Sequence, residues 1–250
     1  MVMQMRNPMG EARALPDRLD VWRGDALGRG AAAPAVLPSG HAALDGELPG
    51  GGWPQAGLTE LLQARAGGHD WQMVLPALGR LVAQAAGPVV LVGGPDGLQP
   101  FAPALAAQGL PAARLLWVRA EDDKARQWAS EQALRCADVP AVLAWLPRAR
   151  ADGLRRLHLA ALDHGKPLFA FRHVAAQAES SPAPLRLLVQ GGAALQVLVF
   201  KRRGAPMVRP LELPAQAPPL AALLALRRPR RVEQPATAEV PHVLDRPVAA

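Results

Sequence analysis

The stretch whose residue types and spacing come nearest to a chemical site is Gln63-Ala-Arg-Ala-Gly-Gly-His-Asp70. It follows Leu58-Thr-Glu-Leu-Leu62, which reads as a short strand. It precedes a helical pattern over 70–86, with apolar residues at Met73, Val74, Leu78, Leu81 and Val82. Strand, glycine turn and helix start are the parts of a phosphate-binding loop, G-x-x-x-x-G-K-[ST]. There the glycines let backbone N–H groups close around the phosphates, the lysine meets the β/γ charge and the hydroxyl holds Mg²⁺. On that spacing Gln63 replaces the first glycine and Gly68 keeps the second. His69 stands at the lysine position and Asp70 at the hydroxyl position. An aspartate caps a helix well, but here it sets a negative charge toward the place of a triphosphate. At an effective dielectric of about 20, two like charges about 4 Å apart repel by about 4 kcal/mol. No nucleotide cofactor is therefore expected. The Gly165-Lys166 pair is followed by Pro167 and has no glycine at the required distance upstream.

The remaining reactive side chains form no constellation. His41, His69, His158, His164, His173 and His242 are scattered, and His158 and His164 are not spaced as i, i+4 metal ligands. Ser180-Ser181-Pro182 reads as a turn rather than a nucleophile. The single cysteine, Cys136, lies in an apolar helical stretch and is expected to be a packed thiol. With one cysteine no internal disulfide is possible, which fits a reducing compartment. The amino terminus lacks an apolar signal region, and no run of about 18 apolar residues suggests a membrane span. A cytoplasmic protein is expected.

The elements that must position these residues alternate. After the strand 58–62 and the helix 70–86 come a strand at 88–92, a helix at 101–108 and a strand at 115–118. A helix at 121–138, a strand at 141–146, a helix at 151–164 and a strand at 167–171 follow. Such alternation of short apolar strands with helices predicts an α/β fold with a mostly parallel sheet covered on both faces. Three further strands, over 185–189, 195–200 and 208–213, are joined by turns and predict an antiparallel edge extension. Pro76 is expected near the first turn of its helix, where proline is tolerated, and Ser39 is expected to cap a helix before Ala43 and Leu44. Residues 1–35 read as an amino-terminal arm with at most one short helix, 36–213 as the core, and 214–250 as an Ala/Pro/Arg-rich tail, partly disordered.

Half of the 250 residues are hydrophobic and 20% are charged, a globular balance, and the net charge is +7. Nine basic and four acidic residues lie from Lys201 onward, so a surplus of five belongs to the last 50 residues. Two basic segments carry it: Lys201, Arg202 and Arg203 at a strand end, and Arg227, Arg228, Arg230 and Arg231 after the short apolar helix expected over 220–226. They read as surfaces for nucleic acid or for an acidic partner, or as solvated segments.

The block Leu44-Asp-Gly-Glu-Leu-Pro-Gly-Gly-Gly-Trp-Pro-Gln-Ala-Gly-Leu-Thr-Glu-Leu-Leu62 resembles the start of a RecA-type core. More narrowly, the chain resembles the ImuA family of RecA-like accessory proteins in bacterial mutagenic repair. Besides the Leu48–Pro54 turn, this rests on Val21-Trp-Arg-Gly24, Ser181-Pro-Ala-Pro-Leu-Arg-Leu187 and Lys201-Arg-Arg-Gly204, and it covers roughly residues 20–213. The resemblance implies a RecA-like sheet in which the strand that should end in a Mg²⁺-binding acid ends in Trp145-Leu146. The strand that should bring a water-activating glutamate has Pro95 there, with Asp96 one residue on. It implies a noncatalytic role in the SOS response and in translesion DNA synthesis, nucleoid-associated when induced. The implied partners are an ImuB-like Y-family polymerase relative, an error-prone replicative-type polymerase and RecA, with single-stranded DNA a further candidate. It also implies that the 173–184 segment replaces a mobile DNA-contacting loop, and that the Lys201–Arg203 element matches one that reaches a neighbouring subunit's nucleotide. A SulA-like inhibitor of cell division and a nucleotide-binding RecA-like ATPase with an unorthodox loop remain alternatives.

Overall fold

The computed structural model describes residues 35–65, 69–95, 98–191 and 194–214. The expected amino-terminal helix, the tail helix, Gly68, Asp96, His242 and the four tail arginines lie outside the described residues.

A hairpin of two short strands, β1 (Val36–Leu37) and β2 (Trp53–Pro54), brackets the short helix α1 (Ala42–Asp45). The main sheet is built from β3 (Gly57–Gln63), β4 (Val89–Val92), β5 (Leu115–Val118), β6 (Val142–Trp145), β7 (Pro167–His173), β8 (Leu185–Gln190), β9 (Leu195–Lys201) and β10 (Leu211–Leu213). Its order is β10-β9-β8-β3-β7-β6-β4-β5. From β8 to β5 every pairing is parallel, while β9 and β10 add antiparallel strands at one edge. The expected fold class is the one observed. Central β3 is buried at all seven positions, as both its neighbours and both its faces require.

Helix α2 (Asp70–Gln84) covers one face together with α1 and α3 (Ala102–Ala107), over a core that includes Met73, Leu78, Leu105, Phe169 and Phe171. Helices α4 (Asp123–Arg135) and α5 (Ala151–Asp163) cover the other, over Leu134, Leu154, Leu157 and Ala161. Each fully buried Leu or Phe contributes about 1.5–3 kcal/mol relative to exposure.

Several local expectations are corrected. Ser39 does not cap α1: the cap position is His41, which makes no side-chain cap bond. Ser39, fully buried, instead accepts from the His41 amide (3.1 Å), and its own amide donates to Asp45 Oδ1 (2.8 Å), closing the turn before the helix. Pro76 lies inside α2, in its second turn, and its ring packs against Gly40, a position with φ +89° where an added Cβ would collide with it. Helix α4 starts later than the periodicity suggests because Asp122 caps it, accepting from the Ala125 amide at 2.7 Å. Cys136 ends that helix and is exposed, not a packed thiol. The last strand begins at Leu211 rather than 208, directly after Pro210, which has no N–H for the ladder.

Candidate functional site

Open parallel sheets present ligands at the carboxyl ends of their strands, and at that edge lie the described residues of the stretch expected to be a degenerate phosphate loop. Strand β3 delivers Gln63 there, and α2 starts at Asp70. The cap position of α2 is His69, not Asp70, and the imidazole makes no capping bond. Its Nδ1 lies 3.4 Å from Gln72 Oε1, and the ring covers Gly191 at the end of β8, where an added Cβ would fall inside it. The side chain at the lysine position is thus turned across the sheet end.

Beside it, aromatic rings fill the space between the first turn of α2 and the end of β6. Trp145 lies 4.3 Å from Phe171 and 6.1 Å from Trp71, centroid to centroid. Trp145 is 4% exposed and Phe171 is 1% exposed. Gln63 shares their face of the sheet, because Leu61 pairs with Phe171 and Phe171 with Trp145. Gln63 Oε1 and Trp145 Nε1 are buried without a hydrogen-bond partner. Both groups are neutral. One is an acceptor and one a donor, and neither replaces the charge of a lysine or of a Mg²⁺-binding carboxylate.

The opposite face of β3 carries a second polar centre. Glu60, fully buried, accepts from Arg186 Nε at Oε2 (2.6 Å) and from Ser181 Oγ at Oε1 (2.7 Å), with Arg172 Nη1 3.6 Å away. Arg172 also donates to the carbonyls of Leu146 (3.2 Å) and Ala149 (2.8 Å), and to Glu179 Oε2 (2.8 Å). Arg186 donates to the carbonyls of Glu179 (3.1 Å) and Ala176 (2.7 Å), and its guanidinium stacks 4.9 Å from the Phe200 ring. The segment 174–184 is therefore tied along its length to a buried carboxylate and two arginines. Its Ser180-Ser181-Pro182 stretch is irregular loop rather than the expected turn, and Ser181 Oγ also accepts from the Ala183 amide (3.1 Å).

This centre is what the sequence reading missed. Arg172 and Arg186 flank the 173–184 segment in sequence, but Glu60 lies in a distant strand. The signal was available: an acid inside an apolar central strand needs a cation of similar burial, and Arg172 and Arg186 interrupt two other apolar strands.

The basic element Lys201–Arg203 lies elsewhere. Strand β9 runs antiparallel to β8, and Lys201 pairs with Arg186 near the start of β8. The cations thus leave the sheet at the amino ends of the parallel strands, away from Gln63 and His69. Lys201 Nζ donates to the Ser181 carbonyl (2.7 Å). Arg202 pairs with Glu47 Oε2 (2.9 Å), contacts the Glu47 carbonyl, and donates to the Ala205 carbonyl (2.5 Å). Arg203 is exposed, and beyond it Val208 stands 94% exposed at the tip of the loop. Lys201 and Arg202 thus have intramolecular partners that the sequence did not announce. Among the described residues, no helix is long and apolar enough to cross a membrane.

No protein-family model matches the chain. The chain is 35% identical over 134 residues to Protein ImuA from Caulobacter vibrioides, in strains NA1000 and ATCC 19089. The match covers 52% of this chain and 54% of each relative, so the chain spans about half the length of the curated relatives it matches. Among solved structures, the crystal structure of SulA from Pseudomonas aeruginosa aligns with 46% of this chain and 97% of that one, at 25% identity and a TM-score of 0.38. The resemblance to the ImuA family that the sequence motifs carry is thus met by curated relatives named Protein ImuA, and this chain is similar to them over about half its length.

Proposed function

We propose that the chain is a noncatalytic accessory protein of SOS-induced mutagenic translesion DNA synthesis. In this reading it is an adaptor for an ImuB-type polymerase relative, an error-prone replicative-type polymerase and RecA, close to single-stranded DNA. The observation that carries the noncatalytic part is the carboxyl edge of the sheet. His69 is folded over Gly191, and Trp71, Trp145 and Phe171 occupy the ground beside the phosphate-loop position. Neutralising a triphosphate takes a fixed cation and a metal-binding carboxylate or hydroxyl. Among the described side chains there, His69, Gln63 and Trp145 offer an imidazole engaged elsewhere, an amide and an indole. The similarity to Protein ImuA supports the mutagenesis context.

The adaptor reading gives the fold a task without hydrolysis: it presents surfaces. The basic loop at the amino edge, with Arg203 and the apolar tip at Val208, is one such surface. The sequence cluster Arg227, Arg228, Arg230 and Arg231 is a second candidate for contact with an acidic partner or nucleic acid.

Equilibrium titration of the purified chain with a fluorescent ATP analogue and Mg²⁺ tests the noncatalytic claim. No saturable binding is expected through the micromolar range. Micromolar affinity that is lost when His69 and Asp70 are both replaced by alanine would mean a working nucleotide site and sink the claim. The adaptor claim is tested separately by mixing the chain with a purified ImuB-type partner: a complex is expected on size exclusion, and two separate peaks at micromolar concentration would reject it.

A further inference from the structure

Glu60, Arg186 and Lys201 lie in one row across three neighbouring strands: Glu60 pairs in register with Arg186, and Arg186 with Lys201. Ser181 joins the two ends of that row from above. Its hydroxyl donates to Glu60 (2.7 Å), and its carbonyl accepts from Lys201 Nζ (2.7 Å). One residue of the 174–184 segment therefore holds both the buried carboxylate of the core and the first cation of the basic loop.

The two bonds differ in strength and access. The Glu60 side is buried and charge-assisted, and Arg186 reinforces it. On the Lys201 side an ammonium bonds a neutral carbonyl, and the lysine is only partly buried. A phosphate oxygen is a better partner for an ammonium than a peptide carbonyl, and Lys201 is long enough to swing on its stem.

The geometry points to a coupled latch, an inference that rests on the proposed contact with single-stranded DNA. Lys201 holds the 174–184 strap closed in the free protein. A nucleic-acid phosphate bound at the basic loop takes Lys201 away from the Ser181 carbonyl and loosens the strap. The strap is the polypeptide that joins β7 to β8, so binding at the amino edge of the sheet is transmitted to a segment lying across its helix-covered face. Glu60 and Arg186 keep the strap attached at its base, so it loosens without unfolding.

Hydrogen–deuterium exchange of the full chain tests this. Lys201→Met removes the latch while keeping the apolar stem. It should speed exchange in peptides covering 174–184 by about tenfold, the loss of one charged hydrogen bond, with α4, α5 and β6 unchanged. An oligothymidylate, its binding followed independently by fluorescence anisotropy, should produce the same acceleration in the unmodified chain and none beyond it in Lys201→Met. Unchanged exchange in Lys201→Met alone would show that the strap does not depend on the lysine and overturn the latch. Acceleration in Lys201→Met with no response to bound oligothymidylate, or no oligothymidylate binding at all, would overturn the coupling. Each of these results is independent of complex formation with the ImuB-type partner, so a failed latch and a failed adaptor reading are told apart.

Discussion

Glu60 is the residue on which the central strand depends most. It is fully buried and bonded to Arg186 and Ser181, with Arg172 beside it. Replacing a whole buried ion cluster by apolar groups can be neutral, but removing one partner leaves buried charge uncompensated, at a cost of about 3–5 kcal/mol. Glu60→Ala strands two guanidiniums, so urea unfolding should show a loss in that range; a loss under about 1 kcal/mol would mean that the arginines find other partners at no cost. The same residue shows where sequence reasoning stops. A carboxylate between Thr59 and Leu61 can be read as exposed or as paired, and only the register of β3 against β7 and β8 decides. His69 is a parallel case. Its place at the lysine position of a phosphate-loop pattern was legible from spacing, but its rotation onto Gly191 was not, because Gly191 is 122 residues downstream.

At the scale of elements, the contact between α5 and β3 makes stability depend on pH. His158 Nδ1 accepts from the Leu58 amide at 3.1 Å, which requires that nitrogen to be unprotonated. Gly57, at φ +100°, leaves room for the ring: an added Cβ would come within 3.0 Å of its Cε1. Burial, and secondarily the charge of Lys201, push the His158 pKa below its ordinary value of 6.5. The unfolded chain therefore binds a proton more readily than the folded one. The His158 contribution is complete above the unfolded pKa and is lost as pH falls through the folded one. Thermal melts between about pH 5 and about pH 8 should show the unmodified chain losing more stability on acidification than His158→Asn, whose carbonyl can still accept from Leu58. Identical pH profiles would rule this out. The strands and helices themselves were legible almost throughout, since short apolar runs and 3.6-residue periodicity report burial directly. What misled were the ends. Asp122, His41 and Pro210 set boundaries through capping or a missing N–H, each a local effect that an apolar pattern does not contain.

Across the whole molecule, charge is the property that the sheet does not absorb. The surplus of five positive charges from Lys201 onward divides between a loop with partly committed cations and the tail arginines. Lys201 and Arg202 hold protein acceptors, so each must give up a bond before it meets a phosphate, whereas Arg227, Arg228, Arg230 and Arg231 form the denser group in sequence. If single-stranded DNA binds through phosphates, each neutralised phosphate adds about 0.7 to the slope of log affinity against log salt. Removing the residues after Pro214 should then flatten that slope by up to about 3, the share of four contacts, while Lys201→Met should change it by less than about 1. Fluorescence anisotropy with an oligothymidylate over a salt series measures both. A slope that the truncation leaves unchanged would move the electrostatic footprint from the tail to the loop at the amino edge. The strap over Glu60 would then lie beside the main contact with nucleic acid.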